Sequence, residues 1–348
     1  MFVGGCAVVR HLGSNPEGLD MIRMLQRTSR FALATLTVCA FGTVQALAND
    51  YPRRPVTIIV PAGAGAGPDV ITRIVAERLS QAWGQQAVVS NRAGGGGMIA
   101  TQAIAAAERD GYTLFMPLAS TLTVMPELQP KMPIDLDRDL VPIGLLGVQP
   151  MMIAVHSSLG INSLSELIAR GKSRPADLLI GAGRGTIPHL AWEMFRTRTG
   201  MDATFVPYPS VARAVQDAVG GTLNVIVESH AGLAPALQSG AVKPLGVFAS
   251  ARLPNFPHVP TVAEALQSVG PFEAGGWFAL MAPAGTPEAV ARKLAADLRA
   301  VLGQSELKER FEALGTYVRP LSPNETAAFI RAERDLWRPI VRQVGASQ

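Results

Sequence analysis

From residue 56 onward, short runs of β-branched residues alternate with stretches in which apolar side chains recur every three or four positions. Val56 to Val60 reads as a strand. The stretch after it keeps Val70, Ile71, Ile74, Val75, Leu79 and Ala82 on one stripe, with Thr72, Arg73, Glu77 and Arg78 outside it, as an amphipathic helix requires. Pro68 suits the first turn of that helix, where a missing N–H leaves no bond unmade. A strand over Ala87 to Ser90, a glycine loop over Gly94 to Gly97, a helix over Met98 to Ala107 and a strand over Thr113 to Met116 follow. A second series starts near Met151, with strand Met151 to Val155, helix Ser163 to Arg170, strand Leu178 to Ile180 and a helix from about Pro188. Strands at Leu223 to Val227, Pro244 to Phe248 and Trp277 to Met281 precede three C-terminal helical stretches. Such alternation predicts parallel α/β sheets. The roughly 300 residues after position 48 exceed what one core usually supports. Two doubly wound lobes flanked by helices are therefore expected, one from 49–150 with 273–348 and the other from 151–272.

The same kind of junction occurs twice. Val60-Pro61-Ala62-Gly63-Ala64-Gly65-Ala66-Gly67-Pro68-Asp69 joins the first strand to its helix through a turn almost without side chains, and Gly181-Ala182-Gly183-Arg184-Gly185-Thr186 does so in the second series. Bare turns expose peptide N–H groups. Together with the positive end of the following helix they make a seat for an anion such as a carboxylate or phosphate.

Residues 21–48 read as a secretory signal, with Arg23, Arg27 and Arg30 ahead of the apolar run Phe31 to Phe41 and an A-x-A site at Ala46-Leu47-Ala48. Residues 1–20, which carry Glu17 and Asp20, fit a signal poorly, and a start at Met21 or Met24 is the alternative to counting them in the leader. Export to the periplasm is expected. Both cysteines, Cys6 and Cys39, precede the cut, so the exported chain has neither disulfide nor thiolate chemistry. Of 31 Lys+Arg and 27 Asp+Glu, the leader takes 4 and 2, and the balance of 27 against 25 argues against a nucleic-acid surface.

Familiar catalytic patterns are missing. A dinucleotide fingerprint would need glycines where Pro68 and Thr186 stand, and a Walker A reading of Gly171-Lys172-Ser173 meets Glu166 at its opening position. His156, His189, His230 and His258 include no i, i+4 pair for zinc, and no G-x-S-x-G elbow occurs. No cofactor, metal or catalytic residue is expected. Asp69 and His189 stand out by position: each opens a helix after a glycine turn, where stabilising the turn and touching a ligand are both open roles.

These motifs together resemble the extracytoplasmic receptors of the tripartite tricarboxylate transporter family, also called Bug receptors. The resemblance runs from Tyr51-Pro52-Arg53-Arg54-Pro55-Val56 and the Gly63 to Asp69 turn through Asn91-Arg92-Ala93-Gly94-Gly95-Gly96-Gly97 and Asp110-Gly111-Tyr112-Thr113-Leu114. It continues through Gly181 to Thr186 with His189-Leu190, then Val206-Pro207-Tyr208, Val259-Pro260-Thr261-Val262-Ala263-Glu264 and Ala282-Pro283-Ala284-Gly285-Thr286-Pro287. It implies a two-lobed periplasmic binding protein (Venus flytrap) fold that closes on a small organic carboxylate and delivers it, as a monomer, to the permease subunits of a tripartite tricarboxylate-type membrane transporter. A receptor reporting to a membrane sensor and a small-molecule enzyme using the same cleft are the alternatives. Carried over by position, the resemblance implies ligand-binding roles for Ala62, Gly63, Gly65, Ala66, Gly67 and Asp69, for Asn91, Gly97 and Met98, and for Ser120 and Thr121. From the second lobe it implies Ala182, Gly183, Gly185, Thr186, His189 and Tyr208. Ala66, Pro68, Ala182 and Pro209-Ser210 depart from the family's usual residues toward a less polar pocket. A monocarboxylate, an aromatic acid or a dicarboxylate with an apolar middle is expected ahead of a citrate-like ligand.

Overall fold

The computed structural model describes residues 51–129, 132 and 134–346; the leader, both cysteines and the signal reading lie outside them. The element order is β1 (Val56–Val60), α1 (Gly67–Trp83), β2 (Ala87–Asn91), α2 (Met98–Ala105), β3 (Thr113–Phe115), α3 (Ala119–Thr123), α4 (Met125–Leu128) and β4 (Leu140–His156). Next come α5 (Leu164–Ser173), β5 (Leu179–Ala182), α6 (Ile187–Thr199), β6 (Thr204–Pro207), α7 (Val211–Val219), β7 (Val225–Ser229), α8 (His230–Gln238) and β8 (Val242–Val247). The chain ends with α9 (Val262–Ala265), β9 (Gly275–Pro283), α10 (Glu288–Leu302), α11 (Ser305–Ala313), β10 (Tyr317–Leu321) and α12 (Pro323–Ala346).

One continuous sheet runs β2-β1-β3-β9-β4-β7-β5-β6, with β8 and β10 also on β4. Its two ends are parallel, β2 and β3 flanking β1 and β6 and β7 flanking β5, as the strand–helix alternation predicts. The middle is antiparallel, which that pattern does not predict. β4 spends Leu140 to Pro150 against β9, with β10 alongside, and Met151 to Val155 against β7. The chain crosses between the two parallel blocks outward on β4 and back on β9, and two opposite crossings that share an edge must pair antiparallel. The expected strand Met151 to Val155 is thus only the far end of a much longer one. Pro142, Gly144, Gly147 and Pro150 hide the rest because they break a strand pattern, and two register shifts in the β4–β9 ladder absorb them.

Apolar cores on both blocks follow from this layout. Ile59, Ile104, Phe115, Leu145 and Met281 gather around the first parallel block. In the second block successive residues point to opposite faces. Val225 and Val227 of β7 join Ile153, Leu190, Phe195 and Trp337 on one side, whereas Ile226 joins Met152, Ala214, Val215 and Leu233 on the other. Helix α12 straddles the division, giving Ile330 to the first core and Trp337, Val341 and Val344 to the second. Among the described residues no helix is long and apolar enough to cross a membrane.

Candidate functional site

The two glycine turns are built alike, residue for residue. Gly65 and Gly185 take φ of 80° and 73°, a region in which an L side chain is strained, so only glycine closes the bend cheaply. Ala66 N–H donates to Gly63 O at 3.2 Å, and Thr186 N–H to Gly183 O at 3.1 Å. Extended Ala66 and Thr186 then cap α1 and α6, neither through its side chain, and a proline sits in each first turn. The side chain four residues beyond each bend reaches back to it: Asp69 Oδ2 accepts from Gly65 N–H at 2.8 Å, and His189 Nδ1 accepts from Gly185 N–H at 3.0 Å. The glycine amide of each bend is therefore spent inside the turn. At the helix starts, Gly67 and Ile187 carry N–H groups that meet no acceptor among the described residues.

Asp69 is fully enclosed. Arg73 Nε donates to Oδ2 at 2.9 Å, and Asn91 Nδ2 donates to Oδ1 at 2.8 Å and to Ala62 O at 3.0 Å. Burial opposes its ionisation, but the bonds from Arg73, Gly65 and Asn91 outweigh it and hold the carboxyl down at about 2. Asp69 and Asn91 thereby tie β1, β2 and α1 together. His189 stacks on Phe205, centroids 4.1 Å apart, and its burial pushes the imidazole pKa below its ordinary value. That favours the neutral ring, which its acceptor role at Nδ1 needs.

A cleft of about 230 Å³ opens between the first and second blocks, above the crossing strands. Pro68 of α1 and Leu118, Ala119 and Ser120 after β3 form one wall. Gly181 to Gly183, Thr186, Ile187, Pro188 and Val211 form the other, with Gln149, Met151, Gly276, Trp277 and Phe278 as floor. The lining is mainly apolar and contains no Lys, Arg or His. An anion there must rely on peptide N–H groups, hydroxyls and the positive ends of helices. Trp277 is held from behind, its indole N–H donating to Glu333 Oε2 at 3.0 Å. Among the described residues no group of three His, Cys, Asp or Glu is arranged to hold a metal ion.

Of the residues carried over from the resemblance, Ser120, Ala182, Gly183 and Thr186 line this cleft. The first turn reaches it through Pro68; Gly63, Gly65, Ala66 and Gly67 are exposed outside it, and Ala62, Asp69 and Asn91 are joined through the Asn91 amide without lining it. Gly97 packs so closely on Thr121 that a Cβ would lie 2.7 Å from Oγ1, and this buried hydroxyl has no partner among the described residues. Met98 follows at the start of α2. Gly185 and His189 stabilise the second turn, with His189 on a separate hollow beside Arg184 and Glu193. Tyr208 lies against Gly181 and donates its hydroxyl to Asp217 Oδ2 at 2.9 Å, on α7 rather than in the cleft.

The floor residues and Glu228 escaped the sequence reading. Gln149 and Gly276 give no local signal, because only the crossing of β4 and β9 brings them here. Glu228 does give one: it is a lone carboxyl at the end of the apolar run Val225-Ile226-Val227. It is 9% exposed, lines the cleft, and accepts from Ser229 N–H at 2.8 Å and Ser229 Oγ at 3.0 Å, both on Oε1. Burial pushes its pKa up, only partly offset by these two bonds.

Comparison with known proteins agrees with this architecture. Residues 71–346 match the model of the tripartite tricarboxylate transporter family receptor. The chain belongs to that family. It is a solute-binding receptor of the Bug type, as the motif resemblance implies. Protein BugT of Bordetella pertussis is 35% identical over 94% of this chain and 99% of its own length. Among solved structures, R. palustris Rpa4515 with adipate shares 31% identity and a TM-score of 0.73, over 85% of this chain and 98% of that one. MatC (Rpa3494) from Rhodopseudomonas palustris with bound malate shares 31% identity and a TM-score of 0.68, over 84% of this receptor and all of MatC, 100%. The mixed α/β fold is that of periplasmic binding proteins.

Proposed function

We propose that this receptor captures a small organic carboxylate in the cleft above β4 and β9 and hands it, chemically unchanged, to the permease subunits of a tripartite tricarboxylate-type transporter. One observation carries the reading: the cleft joins the N-terminal ends of two helices from different blocks, at Pro68 and at Ile187-Pro188, and has no basic side chain of its own. Such a site suits one carboxylate on an apolar body. Adipate and malate, the acids held by two similar receptors, bracket the ligand class, and the apolar lining favours the adipate-like end. Residues 49–150 with 273–348 and residues 151–272 act as two lobes hinged where β4 and β9 cross, and ligand favours the closed form by the contacts it makes only there. The cycle takes place in the periplasm, after removal of the leader, with the receptor a monomer. Gly63 to Asp69, Asn91, Gly97, Met98 and Thr121 shape the first wall, and Ala182 to Thr186, His189 and Tyr208 shape the second.

A thermal-shift panel of mono- and dicarboxylates on the purified mature chain, followed by calorimetry on the hits, tests this. Saturable one-to-one binding of an acid that is recovered intact supports it. Binding of none of the acids, or steady turnover of one, overturns it.

A further inference from the structure

Glu228 is a negatively charged residue type in a cleft assigned to an anion. β5 and β7 pair with Gly181 opposite Ile226, and Gly183 of the second turn and Glu228, just beyond those partners, both line the cleft. An ionised carboxylate lining the same cleft would repel a bound carboxylate. No basic side chain lines the cleft to offset the repulsion.

Two neutral donors favour the ionised form of Glu228, but among the described residues no cation stands against it to offset its burial. Oε1 is taken by the two donors of Ser229, and Oε2 meets no donor among the described residues. On β4 its cross-strand neighbour is Met152 and the cleft residue is the neutral Gln149; β5 brings no titratable side chain. On α7, Arg213 pairs with Asp217 at 3.1 Å, and Asp217 also receives the Tyr208 hydroxyl. On α8, the His230 ring sits against Phe256, centroids 4.7 Å apart. On α6, Glu193 pairs with Arg196 and His189 is bound to Gly185. With burial as the dominant influence, the raised pKa of this carboxyl agrees with the geometry.

We propose that Glu228 meets the bound carboxylate as a neutral carboxylic acid, donating its O–H to the ligand, so that capture takes up one proton whenever free Glu228 is ionised. The hydrogen bond runs from Glu228 Oε2–H to an oxygen of the ligand, and the proton comes from water. This rests on the reading of the cleft as a carboxylate site. It adds a pH dependence and a preference: ligands presenting an anionic oxygen to Glu228 are favoured, and those presenting an ammonium group are not.

Calorimetry on the mature chain from pH 5 to 8.5, in buffers of different ionisation enthalpy, tests this with the tightest acid of a panel containing adipate, malate, benzoate and glutamate. The expected wild-type result is a flat affinity at low pH that falls about tenfold per pH unit above the titration of Glu228, with close to one proton taken up there. Glu228→Gln, which keeps a donor without titrating, should match the wild type at pH 5 and lose the pH dependence. A wild-type affinity that is flat across the range with no proton uptake, with Glu228→Ala binding as tightly as the wild type, overturns the proposal while leaving the receptor reading intact. So does a preference for glutamate that Glu228→Gln abolishes, because it makes Glu228 an ionised partner of the ammonium group. If no acid in the panel binds at any pH, the receptor reading falls first and this proposal with it.

Discussion

Three alanine substitutions separate backbone conformation from packing at the turns. A Cβ placed on Gly65, Gly67 or Gly185 meets nothing within 4 Å, so none of the three changes introduces a clash. Gly65 and Gly185 sit at φ of 80° and 73°, whereas Gly67 has the ordinary backbone of a helix start. Gly65→Ala and Gly185→Ala should therefore each cost about 1–2 kcal/mol, the penalty of holding an L residue in left-handed backbone. Gly67→Ala should be neutral or stabilising by up to about 1 kcal/mol, because it restricts only the unfolded chain. For a fold of roughly 300 residues the unfolding entropy is about 0.6 kcal/mol/K, so the two costly changes should lower Tm by about 2–3 °C each. Equilibrium urea unfolding followed by circular dichroism, with Tm as a second readout, measures all three. Equal effects at all three positions would refute the reasoning, as would a Gly67→Ala loss as large as that at Gly65.

Asp69→Ala should destabilise by about 2–4 kcal/mol, since Gly65 N–H and the Asn91 amide lose a charged acceptor in a buried site; urea midpoints at pH 7 check it. Because its folded pKa, about 2, lies below the unfolded value of 3.8, the ionised Asp69 contributes fully above about pH 4 and loses that contribution as pH falls toward 2. The gap between wild type and Asp69→Asn should narrow over that range. For His189 the lowered pKa means that the unfolded chain binds the extra proton first, so wild-type stability should decline as pH falls below about 6.5. His189→Gln should flatten part of that slope in midpoints taken from pH 7.5 to 5.5. Trp277→Phe removes a donor from buried Glu333 and should cost about 1–3 kcal/mol, read by urea unfolding.

Much of the fold was legible because periodicity reports local burial. The stripe from Val70 to Leu79 and the run Val56 to Val60 became α1 and β1, and the two glycine bends fell at the strand-to-helix junctions where they were expected. Their equivalence is visible too: Gly63, Gly65, Pro68 and Asp69 match Gly183, Gly185, Pro188 and His189 in order and spacing. The duty of Asp69 and His189 was left between two options, and in the structure each side chain bonds to its bend. Strand β4 was mostly missed because prolines and glycines interrupt it, and β10 because nothing in Tyr317 to Leu321 marks a short edge strand.

Chain order and side-chain type by themselves determined the strands and helices of the two parallel blocks such as β1 and α1, which bends need glycine, and to which receptor family the chain belongs, since all of these depend on residues close together in sequence. Tertiary structure alone decided that the crossing strands run antiparallel, that Trp277 and Gln149 floor the cleft, and that α12 contributes to a core on each block. It also decided that Glu228 lines the cleft and is almost closed off from solvent. The physical reason is distance along the chain: β7, β5, β9 and β4 meet only through sheet pairing between remote segments, and local patterning carries no record of which remote partner a strand selects.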